Sequence, residues 1–257
     1  VATVSSPLHA RAFDSLRSDP AGTGIFLDFD GTLSDIVDRP ELARPRPGVT
    51  ELIDLLARLY ATVGIVTGRL GSQIHELLGP SRAEVFGMYG LESKGLMPPP
   101  PASVQEEVER LAESVPGAWV EHKGATLAIH YRLAQDPAEA AALVAAGLLR
   151  IAADAGMALF PGKMVVELAP VETPGKGEVI RRVARDRDLR GCLYAGDDRA
   201  DLEAFAALDE LRASGVTTVK VAARTPESPP ELLAGADLVV DGPGGVVTVL
   251  EALSSLS

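Results

Sequence analysis

Residues 24–29 form a short apolar run, and carboxylates stand at its end: Asp28, then Asp30, immediately before a Gly31-Thr32 turn. A run of that length without polar alternation suits a strand buried on both faces of a parallel sheet. Two carboxylates closing such a run are costly unless a metal or a cationic partner meets them. The pattern recurs. Residues 62–67 lead into Gly68-Arg69, and the run Cys192-Leu193-Tyr194-Ala195 leads into Gly196-Asp197-Asp198. Between them lie helical spacings such as Leu52, Leu55, Leu56 and Leu59, behind Pro47. Strands alternating with helices imply a parallel α/β sheet, whose ligand site lies at the carboxyl ends of the strands.

The rhythm changes after Gly95. Four prolines, Pro98 to Pro101, mark a linker, and a helical stretch at 103–114 follows. Segments 118–123 and 125–132 alternate in polarity around Gly124, which predicts an antiparallel hairpin. An Ala-rich helix over 137–155 precedes a second strand pair, 157–160 and 164–169, joined at Pro161-Gly162-Lys163. This α+β unit reads as a separate insert, and the α/β rhythm returns at Gly175 with strands at 191–195, 216–221 and 237–240. Residues 1–95 and 172–257 are therefore expected to form one core domain, with 96–171 a smaller inserted domain.

Four segments carry chemistry. Asp28 and Asp30, turning at Gly31, can converge with backbone amides on an anion and a metal; an ordinary Asp-Gly-Thr turn is the plainer reading. Thr67 offers a hydroxyl to a phosphoryl oxygen beside Gly68 and Arg69, or an N-cap to the next helix. Lys176 opens a helix, where the dipole disfavours a cation; two carboxylates and a phosphate would justify it, and a surface lysine is the alternative. Asp197, Asp198 and Asp201 supply hard oxygen ligands suited to Mg²⁺. An acidic helix N-terminus accounts for Asp201 better than for Asp197.

Taken in order, Asp28-Phe29-Asp30-Gly31-Thr32-Leu33, Thr67, Lys176 and Gly196-Asp197-Asp198-Arg199-Ala200-Asp201 resemble the haloacid-dehalogenase-like (HAD) superfamily of aspartate-nucleophile phosphotransferases. The insert narrows the resemblance. With Val120-Glu121-His122-Lys123-Gly124, Ala128-Ile129-His130-Tyr131-Arg132, Pro161 to Glu167 and Gly87 to Glu92, the chain is similar to the trehalose-6-phosphate phosphatase family from about Gly24 to Val240. Thr67 stands where that family usually has Ser, Tyr89 where it commonly has His, and Ala200-Asp201-Leu202 where it commonly has Thr-Asp-Glu.

The resemblance implies a HAD-like Rossmannoid core with a parallel sheet, and a mobile α+β cap inserted between the second and third core motifs. It implies Mg²⁺-dependent hydrolysis of trehalose 6-phosphate through an aspartyl-phosphate, in trehalose biosynthesis. Asp28 would be the nucleophile and Asp30 the acid–base, with Thr67 and Lys176 holding the transferring group and Gly68 and Arg69 beside it. The metal would take Asp28, Asp30 through its carbonyl, Asp197 and Asp198. Sugar-facing roles fall to Glu121, Lys123, Lys163 and Glu167, with His130, Tyr131 and Arg132 nearby. Read without the family, Glu121 and Lys123 are equally the wet face of a hairpin, and His130 a satisfied histidine. Two alternatives stay open: a phosphatase for sucrose 6-phosphate or mannosyl-3-phosphoglycerate, and a phospho-aspartate switch of the response-regulator kind. The second is about half as long as this chain and lacks a cap.

Bulk properties narrow the partners. A net charge of −12 argues against a nucleic-acid surface and against anionic lipid. It leaves an anionic substrate only if a metal mediates. The one cysteine, Cys192, removes intrachain disulfides and cysteine metal clusters. The N-terminal residues lack the order of a secretory signal, and the apolar stretch around 140–160 is broken by Arg150 and Asp154. A cytoplasmic monomer acting on a small sugar phosphate is the expectation.

Overall fold

The computed structural model describes residues 3–4, 7–95 and 97–255. The expectation about the N-terminus falls partly on Val1, Ala2, Ser5 and Ser6, outside the described residues. In chain order the first elements are β1 (Thr3–Val4), α1 (Pro7–Ser18), β2 (Thr23–Leu27), α2 (Val49–Leu59), β3 (Thr62–Val66), α3 (Gly71–Leu78) and β4 (Glu84–Phe86). Next come α4 (Ala102–Glu113), β5 (Trp119–His122), β6 (Leu127–His130), α5 (Pro137–Ala155), β7 (Met157–Gly162) and β8 (Val165–Pro170). The chain closes with α6 (Gly175–Asp186), β9 (Gly191–Gly196), α7 (Asp201–Ala213), β10 (Thr217–Arg224), α8 (Pro230–Gly235), β11 (Leu238–Asp241) and α9 (Gly242–Ser254).

Two compact units result, one made of residues 1–93 and 174–257, the other of residues 94–173. In the first, seven strands run in the order β1-β11-β10-β9-β2-β3-β4, and all but β1 are parallel. The expected α/β core with a parallel sheet is thus present. β2 and β9 are adjacent at its centre, which brings the ends of the Asp28 and Asp197 segments side by side. Alternation along β2 explains the apolar run: Ile25, Leu27 and Phe29 enter the core shared with α2 and α9. Phe26 enters the core on the other face with Tyr194, Val179 and Phe205. Both faces are covered, so the strand needs no polar side.

The inserted unit is a four-stranded antiparallel sheet, β5-β6-β8-β7, with α4 and α5 over its apolar face. Asp136 fixes the start of α5 by accepting the Ala138 and Glu139 N–H groups, both at 3.0 Å, with Pro137 in the first turn. Such a cap contributes about 1 kcal/mol. The second hairpin turns at Lys163-Met164 rather than over Pro161-Gly162-Lys163, because β7 runs on through Pro161 and Gly162. β7 is an edge strand, where a proline without an N–H forfeits no ladder bond, so Pro161 does not break it. Met164 takes φ 56° to close the turn.

Candidate active site

The site grows out of the carboxyl ends of β2, β3 and β9 and the first turn of α6. Past the end of β2 the Asp28 N–H still donates to the Ala195 carbonyl at 2.9 Å, so β9 holds the residue in line. The chain then turns at Gly31, φ 79°. A Cβ there would sit 2.0 Å from an Asp197 carboxylate oxygen, so only glycine lets that carboxylate stand over the turn.

Lys176 crosses from α6 into this corner and is 3% exposed. Its Nζ donates to Asp28 Oδ1 at 2.7 Å and to Asp201 Oδ1 at 2.6 Å. Asp201, 0% exposed, is saturated: Oδ1 also takes the Tyr194 hydroxyl at 2.5 Å, and Oδ2 takes the N–H groups of Asp197 and Asp198 at 2.7 and 2.8 Å. Gly196 leaves room for it, since a Cβ there would lie 2.3 Å from Asp201 Cγ. Burial pushes the Tyr194 hydroxyl well above its ordinary value, so it stays a donor.

Burial, and then the neighbouring charges of Asp201 and Asp30, work against the pull of Lys176 and push Asp28 up to about 7. Lys176 is held well above its ordinary value by Asp201 and Asp28, which outweigh its own desolvation, so the ammonium keeps its charge. Carboxylate oxygens of Asp28, Asp197 and Asp201 lie within 4.8 Å of one another. Counted with the Lys176 ammonium that bonds Asp28 and Asp201, the three carboxylates carry a formal −2. Hard oxygen donors with that excess fit a divalent cation such as Mg²⁺. Asp201 has both oxygens committed, so Asp28 and Asp197 are the better placed side-chain ligands.

The other expected residues fall as follows. Asp30 is outside the trio; its carboxylate is gripped by Arg69, at 2.6 Å from Nε and 2.7 Å from Nη2. Asp198 Oδ1 accepts the Arg199 N–H at 2.6 Å. Thr67 is buried at the end of β3 and its Oγ1 accepts the Arg69 N–H at 3.2 Å. It does not cap α3, whose N-cap is Leu70. Gly68 lies under the Tyr89 ring, where a Cβ would meet the hydroxyl at 2.6 Å. Asp201 is the residue undervalued by its sequence context, because an acid in the first turn of a helix looks self-explanatory. The signal that would have found it is its place four residues after Asp197 at a strand end.

In the inserted unit, Glu121, Lys123, His130 and Glu167 come together on one face of the sheet. Ala128 stands opposite both Glu121 and Glu167, and its small side chain keeps the row open. Glu167 is 2% exposed and accepts Lys123 Nζ at 3.1 Å and the Thr126 hydroxyl at 2.5 Å. Lys123 Nζ is 3.7 Å from Glu121 Oε2, which also meets His130 Nε2 at 2.8 Å. His130 stacks on Trp119, ring centroids 4.1 Å apart. Tyr131 packs into the apolar cluster of the unit, away from this row. Arg132 and Lys163 are half-buried at the ends of β6 and β7.

Comparison with known proteins follows the same lines. The trehalose-phosphatase family matches residues 26–231. A relative from Mycobacterium tuberculosis, described as an uncharacterized glycosyl hydrolase, is 32% identical over 219 residues, 76% of this chain but 16% of its own length. The chain thus spans a small part of that relative. A probable trehalose-phosphate phosphatase from Sinorhizobium fredii is 30% identical over 230 residues, 83% of each chain. The C-terminal domain of trehalose-6-phosphate phosphatase from C. albicans superposes with a TM-score of 0.81 over 100% of this chain and 99% of that one, at 20% identity. The chain belongs to the trehalose-phosphatase family.

Proposed function

We propose that the chain hydrolyses trehalose 6-phosphate to trehalose and phosphate, with Asp28 as a covalent nucleophile. The observation that carries the reading is Asp28 itself: a buried carboxylate at the end of a central strand, bonded to Lys176 and clustered with Asp197. An Asp28 oxygen forms a bond to phosphorus as the ester P–O bond breaks, and Asp30 gives its proton to the departing sugar oxygen. Water then forms the new P–O bond, the acyl-phosphate bond breaks back to Asp28, and Asp30 takes the proton from that water. Lys176, held charged by two carboxylates, stabilises the transferring phosphoryl group, with the Thr67 hydroxyl as a further donor. Asp28, the Asp30 carbonyl, Asp197 and Asp198 would hold Mg²⁺, which when bound neutralises charge on the phosphoryl oxygens.

In this reading the inserted unit is the cap that selects the sugar. A disaccharide needs many hydroxyl partners, and the Glu121–Lys123–Glu167–His130 row offers donors and acceptors on one sheet face. Arg132 and Lys163 extend the same set. The test is phosphate release with Mg²⁺ from trehalose 6-phosphate, sucrose 6-phosphate and p-nitrophenyl phosphate, by the wild type and Glu167→Gln. Trehalose 6-phosphate is expected to be the best sugar substrate. The variant is expected to lose at least tenfold on it and less than threefold on p-nitrophenyl phosphate. Equal losses on both would remove the sugar-reading role, and faster turnover of sucrose 6-phosphate would reassign the substrate.

A further inference from the structure

The side chain of Arg69, beside a phosphoryl site, looks like a phosphate holder, but its surroundings say otherwise. It is 9% exposed, and its donors are already directed elsewhere. Nε and Nη2 grip the two oxygens of Asp30 at 2.6 and 2.7 Å, and Nη1 donates to the Pro40 carbonyl at 2.9 Å. The guanidinium carbon lies 5.6 Å from the centroid of the buried Phe29 ring. Its backbone is fixed as well: the Arg69 carbonyl accepts the Met88 N–H at 2.8 Å, and the Thr67 carbonyl accepts the Tyr89 N–H at 2.8 Å. Met88 and Tyr89 both adopt positive φ, 50° and 53°, a conformation that non-glycine residues take at a cost.

A planar fork with three of its five donor directions spent on Asp30 and Pro40 is built to orient a carboxylate. Asp30, by contrast, keeps a side chain 38% exposed. We propose that Arg69 is the positioning residue of the Asp30 carboxyl, and that it acts on proton transfer at the leaving oxygen and the attacking water rather than holding the phosphoryl group. This rests on the proposed phosphatase reaction. In that reaction Asp30 is needed twice, once to protonate the leaving alkoxide and once to deprotonate water. With p-nitrophenyl phosphate the leaving phenolate departs as a stable anion, so only the second step needs Asp30.

The two esters therefore separate the roles. In Arg69→Gln, mixing with p-nitrophenyl phosphate is expected to release a burst of about one equivalent of p-nitrophenolate. Steady turnover then follows at least tenfold slower than in the wild type, a partial loss of the ~10²–10⁴-fold that general acid–base catalysis contributes. Trehalose 6-phosphate should slow at least as much, with no burst of trehalose. Inhibition by inorganic phosphate should stay within about twofold of the wild type, since the phosphoryl site is untouched. Asp30→Asn should reproduce the pattern, and adding Arg69→Gln to it should cost less than about threefold more, as expected for residues acting as one unit. Arg69→Lys, which keeps the charge without the fork, should behave like the glutamine variant and carries the test if that variant does not fold.

A tenfold weaker phosphate inhibition, a missing burst or additive losses would overturn the proposal. If the wild type turned over neither ester, the phosphatase reading itself would fail instead.

Discussion

At the scale of single residues, Asp201 shows how one buried carboxylate can tie several elements of a site together. It joins the start of α7, the last residues of β9 and the lysine of α6 through four accepted hydrogen bonds. An amide cannot replace it, because an NH₂ group would face either Lys176 and the Tyr194 hydroxyl or two backbone N–H groups. Removing one partner of a buried, hydrogen-bonded ion pair costs roughly 3–5 kcal/mol. Asp201→Asn is accordingly expected to lower unfolding stability by about 3 kcal/mol or more, read by urea denaturation of the metal-free protein. A change below about 1 kcal/mol would show that Asp201 is the self-sufficient helix-terminus acid its sequence context suggests.

At the scale of elements, much of the architecture was legible before any coordinates. β2, β3 and β9 are short apolar runs that lead into polar turn residues, and that length with those flanks suits a strand buried on both faces. The first hairpin of the insert is legible from its alternation, the second pair from the Pro161-Gly162-Lys163 break between its strands, and α5 from its alanines. What escaped has physical causes. Among its described side chains α1 packs through Leu16, Ala12 and Phe13, too few apolar positions to stand out, and the six-residue α8 is shorter than a helical period can reveal. β4 is only three residues long and stops at Phe86, because Met88 and Tyr89 leave the extended region to reach the carbonyls of Arg69 and Thr67. Long-range pairings of this kind leave no trace in local pattern. The same holds for the grip of Arg69 on Asp30, 39 residues apart in the chain.

At the scale of the whole molecule, the acidity that seemed to oppose an anionic substrate is partly concentrated where it is useful. The corner of Asp28, Asp197 and Asp201 against Lys176 carries excess negative charge in a buried place, and the metal-free protein relieves it by keeping a proton on Asp28 up to about pH 7. A raised carboxylate value means that the metal-free folded state binds that proton at pH 6 and has released it at pH 8.5. Binding of Mg²⁺ requires the carboxylate, so titration at pH 6 is expected to release close to one proton per site, and at pH 8.5 almost none. Calorimetry in two buffers of different ionisation enthalpy reads this directly, and equal proton release at both pH values would contradict it. No helix among the described residues is long and apolar enough to cross a membrane. The central claim remains the covalent role of Asp28, and acid-quenched mass spectrometry of the Mg²⁺-loaded protein turning over trehalose 6-phosphate tests it most directly. A phosphoryl group on the peptide bearing Asp28, absent with Asp28→Asn together with a loss of activity of at least a thousandfold, is the result expected; an Asp28→Asn protein that still releases phosphate at near wild-type rate would contradict it.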